Sequence, residues 1–321
     1  MKQITTAPVS GIVPTMGRAD VLARTLESLC VQSVVPAELI IIDASPDDAT
    51  RRVVLTFAGQ MQAFGCRVLW QPAKQAGAAA QRNQGIGLAT QSVLCFFDDD
   101  VLFESDCFAR LWRALQADPG LGGINAMIVN QRYLPPRPVS RWMFRMMAGH
   151  RHASYAGRVL GPAINILPED RDELPEVVSV EWLNLGCTLY RREAMPAPAF
   201  AGHFAGYSLM EDLTLSLTVG KKWKLANART ARIYHDSRPG AYKDKLVARS
   251  RMELVNRHRV MTEVLNRRSL ADYARLVLWE CFQLAVCAIR KRAGLAFWRT
   301  FWGKLLGAGD ILENWRRPAT A

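Results

Sequence analysis

Leu94-Cys95-Phe96-Phe97-Asp98-Asp99-Asp100 sets four apolar side chains directly against three carboxylates. The apolar run is too short and too sharply ended for a helix, and predicts a strand buried on both faces. The acids then sit at the strand's carboxyl end, where open α/β sheets bind their ligands. Adjacent carboxylates repel one another, and burying one unpaired is costly. A divalent cation relieves both problems. Oxygen ligands suit a hard ion, Mg²⁺ or Mn²⁺, which can bridge carboxylates to the phosphates of a nucleotide. The competing reading is a solvated acidic turn capping the helix predicted over residues 105–117.

Upstream, strands and helices alternate. Residues 9–13 read as a strand ending at Pro14-Thr15, and residues 19–32 as a helix with Leu22, Leu26 and Leu29 on one face. Residues 38–42 form a second strand ending at Asp43, residues 47–57 a helix, and residues 67–70 a third strand. A helix starting near Gly77 carries Arg82. This alternation predicts a Rossmann-like, mostly parallel sheet flanked by helices. Asp43 shares the strand-end position of the three acids. It can accept hydrogen bonds from a base or ribose, or simply close a turn in Asp43-Ala44-Ser45-Pro46-Asp47. Arg82 can pair with a diphosphate or with the acidic cluster, or lie solvated on the surface. Gly77, Gly85 and Gly87 are wrongly spaced for a dinucleotide or Walker phosphate loop.

Downstream, residues 122–130 predict a strand. Residues 131–178 lose periodicity around Pro135-Pro136, Pro138 and a cluster from Trp142 to Met147. Such an insertion reads as a lid or binding loop, or as a short amphipathic helix over 139–148 that packs or touches membrane. Residues 180–192 look strand-like. Glu211-Asp212 opens a helix, where carboxylates are favoured by the helix dipole, so capping competes with catalysis. Residues 223–227 read as a strand, and residues 234–240, with His235, as a closing polar turn.

Half of the 321 residues are hydrophobic, enough for one large domain or a domain with an appendage. Residues 1–10 lack the apolar core of a signal peptide, and no run approaches the roughly 20 apolar residues that span a bilayer. Seven cysteines without a CxxC pair predict reduced core thiols in a cytoplasmic protein. Charge is uneven. Residues 1–220 hold 19 Lys/Arg and 21 Asp/Glu, whereas residues 221–321 hold 22 and 8. The basic surplus of the last third suits phosphorylated substrate, anionic lipid or nucleic acid.

In order along the chain stand Val13-Pro14-Thr15 with Arg18, Ile41-Ile42-Asp43, Gln81-Arg82-Asn83-Gln84-Gly85, Phe97-Asp98-Asp99-Asp100, Asn184-Leu185-Gly186-Cys187, Glu211-Asp212-Leu213 and His235. This succession resembles the family 2 inverting glycosyltransferases, which use nucleotide-sugar donors on an A-type glycosyltransferase fold. The resemblance spans about residues 9–240. It implies that Pro14, Thr15, Arg18 and Asp43 hold the nucleoside and that Arg82 lies near the donor diphosphate. It implies that Asp98 and Asp100 frame a DxD motif, with Asp99 at ribose or metal, Asp98, Asp100 and His235 as metal ligands, and Asp212 beside Glu211 as general base. Met16-Gly17 after Thr15 and Leu213-Thr214-Leu215 after Asp212 depart from the commoner family pattern, leaving the donor nucleotide open among UDP, GDP and dTDP.

The expectation is a metal-dependent inverting transfer of a sugar to a lipid-linked or polysaccharide hydroxyl in cell-surface or exopolysaccharide synthesis. Residues 1–240 would be the catalytic domain. Residues 241–321 would be a basic, amphipathic helical appendage, peripheral on the inner face of the cytoplasmic membrane or packed on a second copy. A nucleotidyltransferase acting on a sugar phosphate would need a Gly- and Lys-rich N-terminal loop, and residues 9–24 contain no lysine. A nucleic-acid binder would need aromatic–basic patches on a recognisable module, which the basic tail lacks. A non-catalytic scaffold would not need Asp98–Asp100, Asp212 and His235, all of which are present.

Overall fold

The computed structural model describes residues 4–150, 152–204, 206, 209–237, 245–290 and 294–316. The chain divides into two compact units. The first comprises residues 1–133, 156–158 and 167–237, and the second residues 134–155, 159–166 and 238–321.

The first unit is built on one sheet. Its strands are β1 (Thr5–Thr15), β2 (Val34–Asp43), β3 (Arg67–Pro72), β4 (Val93–Phe97), β5 (Val101–Phe103) and β6 (Leu121–Ile128). β9 (Val177–Ser179), β10 (Cys187–Arg191) and β11 (Lys224–His235) complete it, β7 and β8 belonging to the second unit. The order is β3-β2-β1-β4-β10-β6-β11-β5, with β9 paired to β11. The β3-β2-β1-β4 half is parallel, as is β6 with β11. β10 runs antiparallel between β4 and β6, and β5 and β9 run antiparallel to β11.

The apolar run before the triple aspartate explains why the sheet is sandwiched. Alternate residues of a strand face opposite ways. Val93, Cys95 and Phe97 of β4 join one buried cluster, with Leu22, Leu26 and Leu29 of α1 (Ala19–Cys30) and Phe108, Leu111 and Leu115 of α4 (Cys107–Ala117). Leu94 and Phe96 join the other, with Tyr190, Phe200 and Leu215. Phe96 and Phe97 are fully buried. Burying each contributes about 1.5–3 kcal/mol. α2 (Ala49–Ala63) adds Val54 and Met61 to the first cluster. On the other face α3 (Ala78–Leu88) lies against β1 at Gly85, where a Cβ would come within 2.5 Å of Ile12. Glu38, buried within β2, accepts hydrogen bonds from Ser10 Oγ and the Thr90 amide, each at 2.5 Å, and pairs with Arg67 at 2.7 Å. Burial raises its pKa, but these partners outweigh that and hold it at about 2.

Two local expectations are corrected. Of the strand-like residues 180–192 only β10 pairs in the sheet, because Leu183 and Leu185 are buried in the second cluster instead. Tyr234 and His235 do not lie in a turn. β11 continues through them because β5, directly after the triple aspartate, pairs with their backbone. Of the readings open for Arg82, the solvated one falls away, since Arg82 is only 3% exposed and binds Asp98. The rest of the expected turn, residues 238–240, lies outside the described residues. All seven cysteines are free, five of them buried, as expected of core thiols.

The second unit contains α5 (Pro138–Ala148), the short hairpin β7 (Val159–Leu160) and β8 (Ile164–Asn165), α7 (Leu246–Arg259) with a π-helical end at Val260–Val264, α8 (Leu270–Arg290) and α9 (Leu295–Arg316). α6 (Glu211–Val219) belongs to the first unit. α7 and α9 touch through glycines: a Cβ at Gly303 would lie 2.4 Å from the Val247 carbonyl, and one at Gly307 3.0 Å from that of Arg251. A cross-linked ion network is buried between the helices. Arg257 pairs with Glu253 at 3.0 Å and Glu280 at 3.1 Å, and Lys304 pairs with the same two acids at 3.0 and 2.6 Å.

Candidate active site

The strand ends carry the chemistry. In register, Thr15 of β1 stands beside Asp43 of β2, with Pro14 beside Ile42. Asp43 is buried. Its Oδ1 accepts the Ser45 amide at 2.9 Å and its Oδ2 the Trp70 indole N–H at 3.1 Å. Gln81, one residue before Arg82, ties the two strand ends together by donating to the carbonyls of Thr15 (2.9 Å) and Ile42 (2.7 Å).

The triple aspartate follows β4. Asp98 is the most open of the three, while Asp99 and Asp100 are buried. Thr15 Oγ1 donates to Asp99 at 2.6 Å, and Thr25 Oγ1 to the Asp99 carbonyl at 2.7 Å. Arg18 forks across the cluster, binding Asp99 at 2.7 Å and Asp100 at 2.8 Å. Burial, helped by the neighbouring aspartates and opposed by Arg18 and Thr15, pushes the Asp99 carboxyl up to about 7. Burial acts the same way on Asp100, but His235 and Arg18 outweigh it and hold Asp100 at about 2.

His235, the last residue of β11, reaches Asp100 with Nε2 at 2.9 Å. The ligand atoms of Asp98, Asp100 and His235 all lie within 4.8 Å of one another. Two carboxylates and an imidazole at one point are a donor set that fits a small divalent cation, Mn²⁺ or Mg²⁺. The buried guanidinium of Arg82 joins this cluster to the next, binding Asp98 at 2.7 Å and pairing with Glu211. Glu211 and Asp212 open α6. Burial pushes the Asp212 carboxyl up to about 6, with Glu211 and Asp98 adding to the rise while the Leu213 amide and Arg82 oppose it. A carboxylate that titrates near neutrality is suited to take up a proton.

Residues from five separate segments therefore meet at one end of the sheet: Thr15 and Arg18, Arg82, Asp98–Asp100, Glu211 with Asp212, and His235. Asp43 lies beside Thr15. Sequence reasoning missed Gln81, Thr25, Asn130 and Gln131. Asn130 clasps the His235 backbone, its Nδ2 donating to the His235 carbonyl (2.9 Å) and its Oδ1 accepting the His235 amide (3.0 Å). The Gln131 side-chain amide stands 3.0 Å from His235 Nδ1. Gln81 alone had a signal, its place in the Gln-Arg-Asn motif.

The sequence model of glycosyl transferase family 2 matches residues 10–156. A PGL/p-HBAD biosynthesis glycosyltransferase of Mycobacterium tuberculosis is 33% identical over 101 residues, 31% of this chain and 38% of that protein. The chain thus spans well under half the length of these curated relatives, which include the Mycobacterium bovis protein at the same identity. Among solved structures, the mannosyltransferase PcManGT from Pyrobaculum calidifontis, in complex with GDP-Man and Mn²⁺, aligns with TM-score 0.55 at 13% identity. That alignment covers 99% of this chain and 91% of the other. S. aureus TarS 1-349 with UDP-GlcNAc aligns with TM-score 0.50 at 17% identity, over 81% and 72%. At such identities the likeness shows the fold. Residues 10–156 thus match glycosyl transferase family 2 in sequence, and the chain has the A-type glycosyltransferase fold.

Proposed function

We propose that the protein is a metal-dependent inverting glycosyltransferase that moves a sugar from a nucleotide-sugar donor to a hydroxyl of a lipid-linked or polysaccharide acceptor. The observation that carries this reading is the convergence of Asp98, Asp100 and His235 on one point, bridged through Arg82 to the Glu211-Asp212 pair. The names of similar proteins, which include a mannosyltransferase bound to GDP-Man and Mn²⁺, support it.

Thr15 and Asp43 line the place for the nucleoside, and Asp99 with Arg18 the place for its ribose. Asp98, Asp100 and His235 would hold Mn²⁺ or Mg²⁺, which when bound would neutralise charge on the leaving diphosphate. Asp212 takes the proton of the acceptor hydroxyl as its oxygen bonds to the anomeric carbon. The bond from that carbon to the diphosphate breaks, and its electron pair leaves with the diphosphate. Attack opposite the leaving group inverts the centre. Arg82 binds both Glu211 and Asp98, and so ties the segment of the base to the residues that would hold the cation.

The second unit supports a peripheral place on the inner face of the cytoplasmic membrane. Among the described residues no helix is long and apolar enough to cross a bilayer. Among the described residues, twelve of the eighteen exposed large hydrophobics lie in this unit, including Trp142, Trp298 and Trp302. Exposed tryptophan beside arginine suits the interface of an anionic bilayer. A screen of UDP-, GDP- and dTDP-sugars with Mn²⁺ tests the function. One donor should turn over, and Asp100→Ala should lose it together with Mn²⁺ binding. Turnover that persists undiminished in EDTA would overturn the metal-dependent reading.

A further inference from the structure

We propose that the groove along the outer face of α3 binds sugar units of the acceptor, so that the acceptor is a saccharide chain held at a distance from the hydroxyl that reacts. The proposal rests on the reading of the protein as a glycosyltransferase.

α3 has two faces of different character. Ala79, Gln81, Arg82 and Gly85 are buried. Gly85 lies against Ile12, and Arg82 binds Asp98 and Glu211. Ala80, Asn83, Gln84, Gly87 and Leu88 follow one another at the three- and four-residue spacing that keeps side chains on one helical face. The outer face of a surface helix normally carries charge. This one carries none, since the single charged residue of α3 is the buried Arg82. Gly87 is also unexplained by packing. A glycine weakens a helix interior, and a Cβ at this one would meet nothing within 4 Å. What its small size preserves is open space.

That face lines a cavity of about 490 Å³, in the size range of pockets that hold small organic ligands. Gln71 near the end of β3, Lys74 and Gln75 after it, and Phe204 also line it. Two amide clasps stiffen the walls. The Asn83 side chain donates to the Phe200 carbonyl at 2.7 Å and accepts the Phe200 amide at 3.1 Å. The Gln84 side chain donates to the Pro72 carbonyl at 2.9 Å and accepts the Lys74 amide at 2.8 Å. Among the described residues, the side chains of Gln71, Lys74 and Gln75 have no partner.

The lining selects by chemistry. It contains no carboxylate to hold a cation, and one lysine is too little charge for a diphosphate. A wholly apolar guest would leave the half-buried Gln71 amide unpaired. A sugar hydroxyl both donates and accepts, as an amide group does. The C–H face of a sugar ring suits the apolar surface of Leu88 and Phe204. The groove also adjoins the segment that leads into the base. Asn83 clasps Phe200, and the Gly206 backbone, five residues before Glu211, bridges to Gly77 at the start of α3. Sugar units held there add binding energy away from the reacting centre, which helps to place the hydroxyl at Asp212.

The test uses the full chain, immobilised di- to hexasaccharides of defined composition, and Gly87→Trp, which sets an indole into the groove from a position with open space. The wild type should bind a subset of these oligosaccharides, and Gly87→Trp should lose that binding. Gln71→Ala should weaken it about two- to tenfold, the worth of one hydrogen bond. Gly87→Ala should bind as the wild type does, with helix content by circular dichroism no lower. Supplied as acceptor, a bound oligosaccharide should show a raised KM in Gly87→Trp, with Mn²⁺-dependent hydrolysis of the donor unchanged. No oligosaccharide bound by the wild type, or equal binding by Gly87→Trp, would overturn the proposal. Donor turnover without oligosaccharide binding keeps the catalytic reading and removes the groove. Binding that Gly87→Trp loses, in a protein that turns over no donor, removes the catalytic reading and the acceptor role with it.

Discussion

Two clusters of buried charge sit in this chain, one in each unit, and their balance differs. At the sheet end Asp98, Asp99, Asp100, Glu211 and Asp212 face Arg18, Arg82 and His235. In the helical unit Glu253 and Glu280 face Arg257 and Lys304, two against two. The helical network closes on itself, and each cation touches both acids. The sheet-end cluster has a surplus of acid, which bound protons or the cation proposed above would meet. Its carboxyls show the strain, with Asp99 pushed up to about 7 and Asp212 to about 6. A buried network whose charges are equal in number suits a structural role, and an unequal one at the carboxyl ends of strands is a candidate site.

The sharpest way to break this contrast is Asp212→Asn. It removes the proton acceptor while keeping shape, and should lower transfer by about 100- to 10,000-fold with donor binding intact by calorimetry. Near-normal turnover would remove Asp212 from the mechanism. The wild-type rate should also depend on pH in a stated direction. Asp212 works only when ionised, so the rate should climb about tenfold per pH unit below 6 and level off above it.

Next in size is Lys304→Met in the balanced network. It leaves Glu253 and Glu280 sharing Arg257 alone, and unpairing a buried ion costs about 3–5 kcal/mol. Urea unfolding of the helical transition measures it. Exchanging Glu280 for Met as well should recover part of the loss, because an apolar pair needs no counter-charge.

At the sheet end the same kind of edit should act in the opposite sense. The folded Asp99 carboxyl holds its proton up to about pH 7, whereas in the unfolded chain it releases it near 3.8. The folded state binds the proton more tightly, so stability from this group falls as pH rises between those values. Asp99→Asn removes that loss. It should raise stability at pH 8 by on the order of 1 kcal/mol, less than the full linkage because the ion pair with Arg18 goes too. Below pH 4 the gain should vanish. A variant less stable than wild type at pH 8 would mean the cluster is not strained.

The two regions also differ in how far the sequence reveals them. Asp98–Asp100, Thr15 and Asp43 were legible because each ends an apolar strand, and strand ends follow from a local pattern. Gln131 and Asn130 were not. They are neutral amides after β6, and their partner His235 lies 104 and 105 residues further on. β5 is only three residues long and follows the acids without a turn signal, so β11 was read as ending before His235. In the helical unit the apolar and basic composition was plain. The pairing of Lys304 with Glu253, 51 residues away on another helix, has no periodic signature at all.

The smallest effect compares two ion pairs joining the same two helices. Arg251 of α7 binds both oxygens of Asp310 of α9, at 2.6 and 2.5 Å, in better geometry than any contact of Lys304 with Glu253. Arg251 is half exposed, however, and Lys304 is buried. Water competes for the first pair, and exposed pairs contribute about 0.2–1 kcal/mol even when well formed. A double-mutant cycle of Arg251→Ala and Asp310→Ala should therefore give a coupling below about 1 kcal/mol that shrinks with added salt. The Lys304 and Glu253 cycle should give several times more and respond less to salt. Equal couplings would show that geometry, and not burial, decides what an ion pair contributes between these helices.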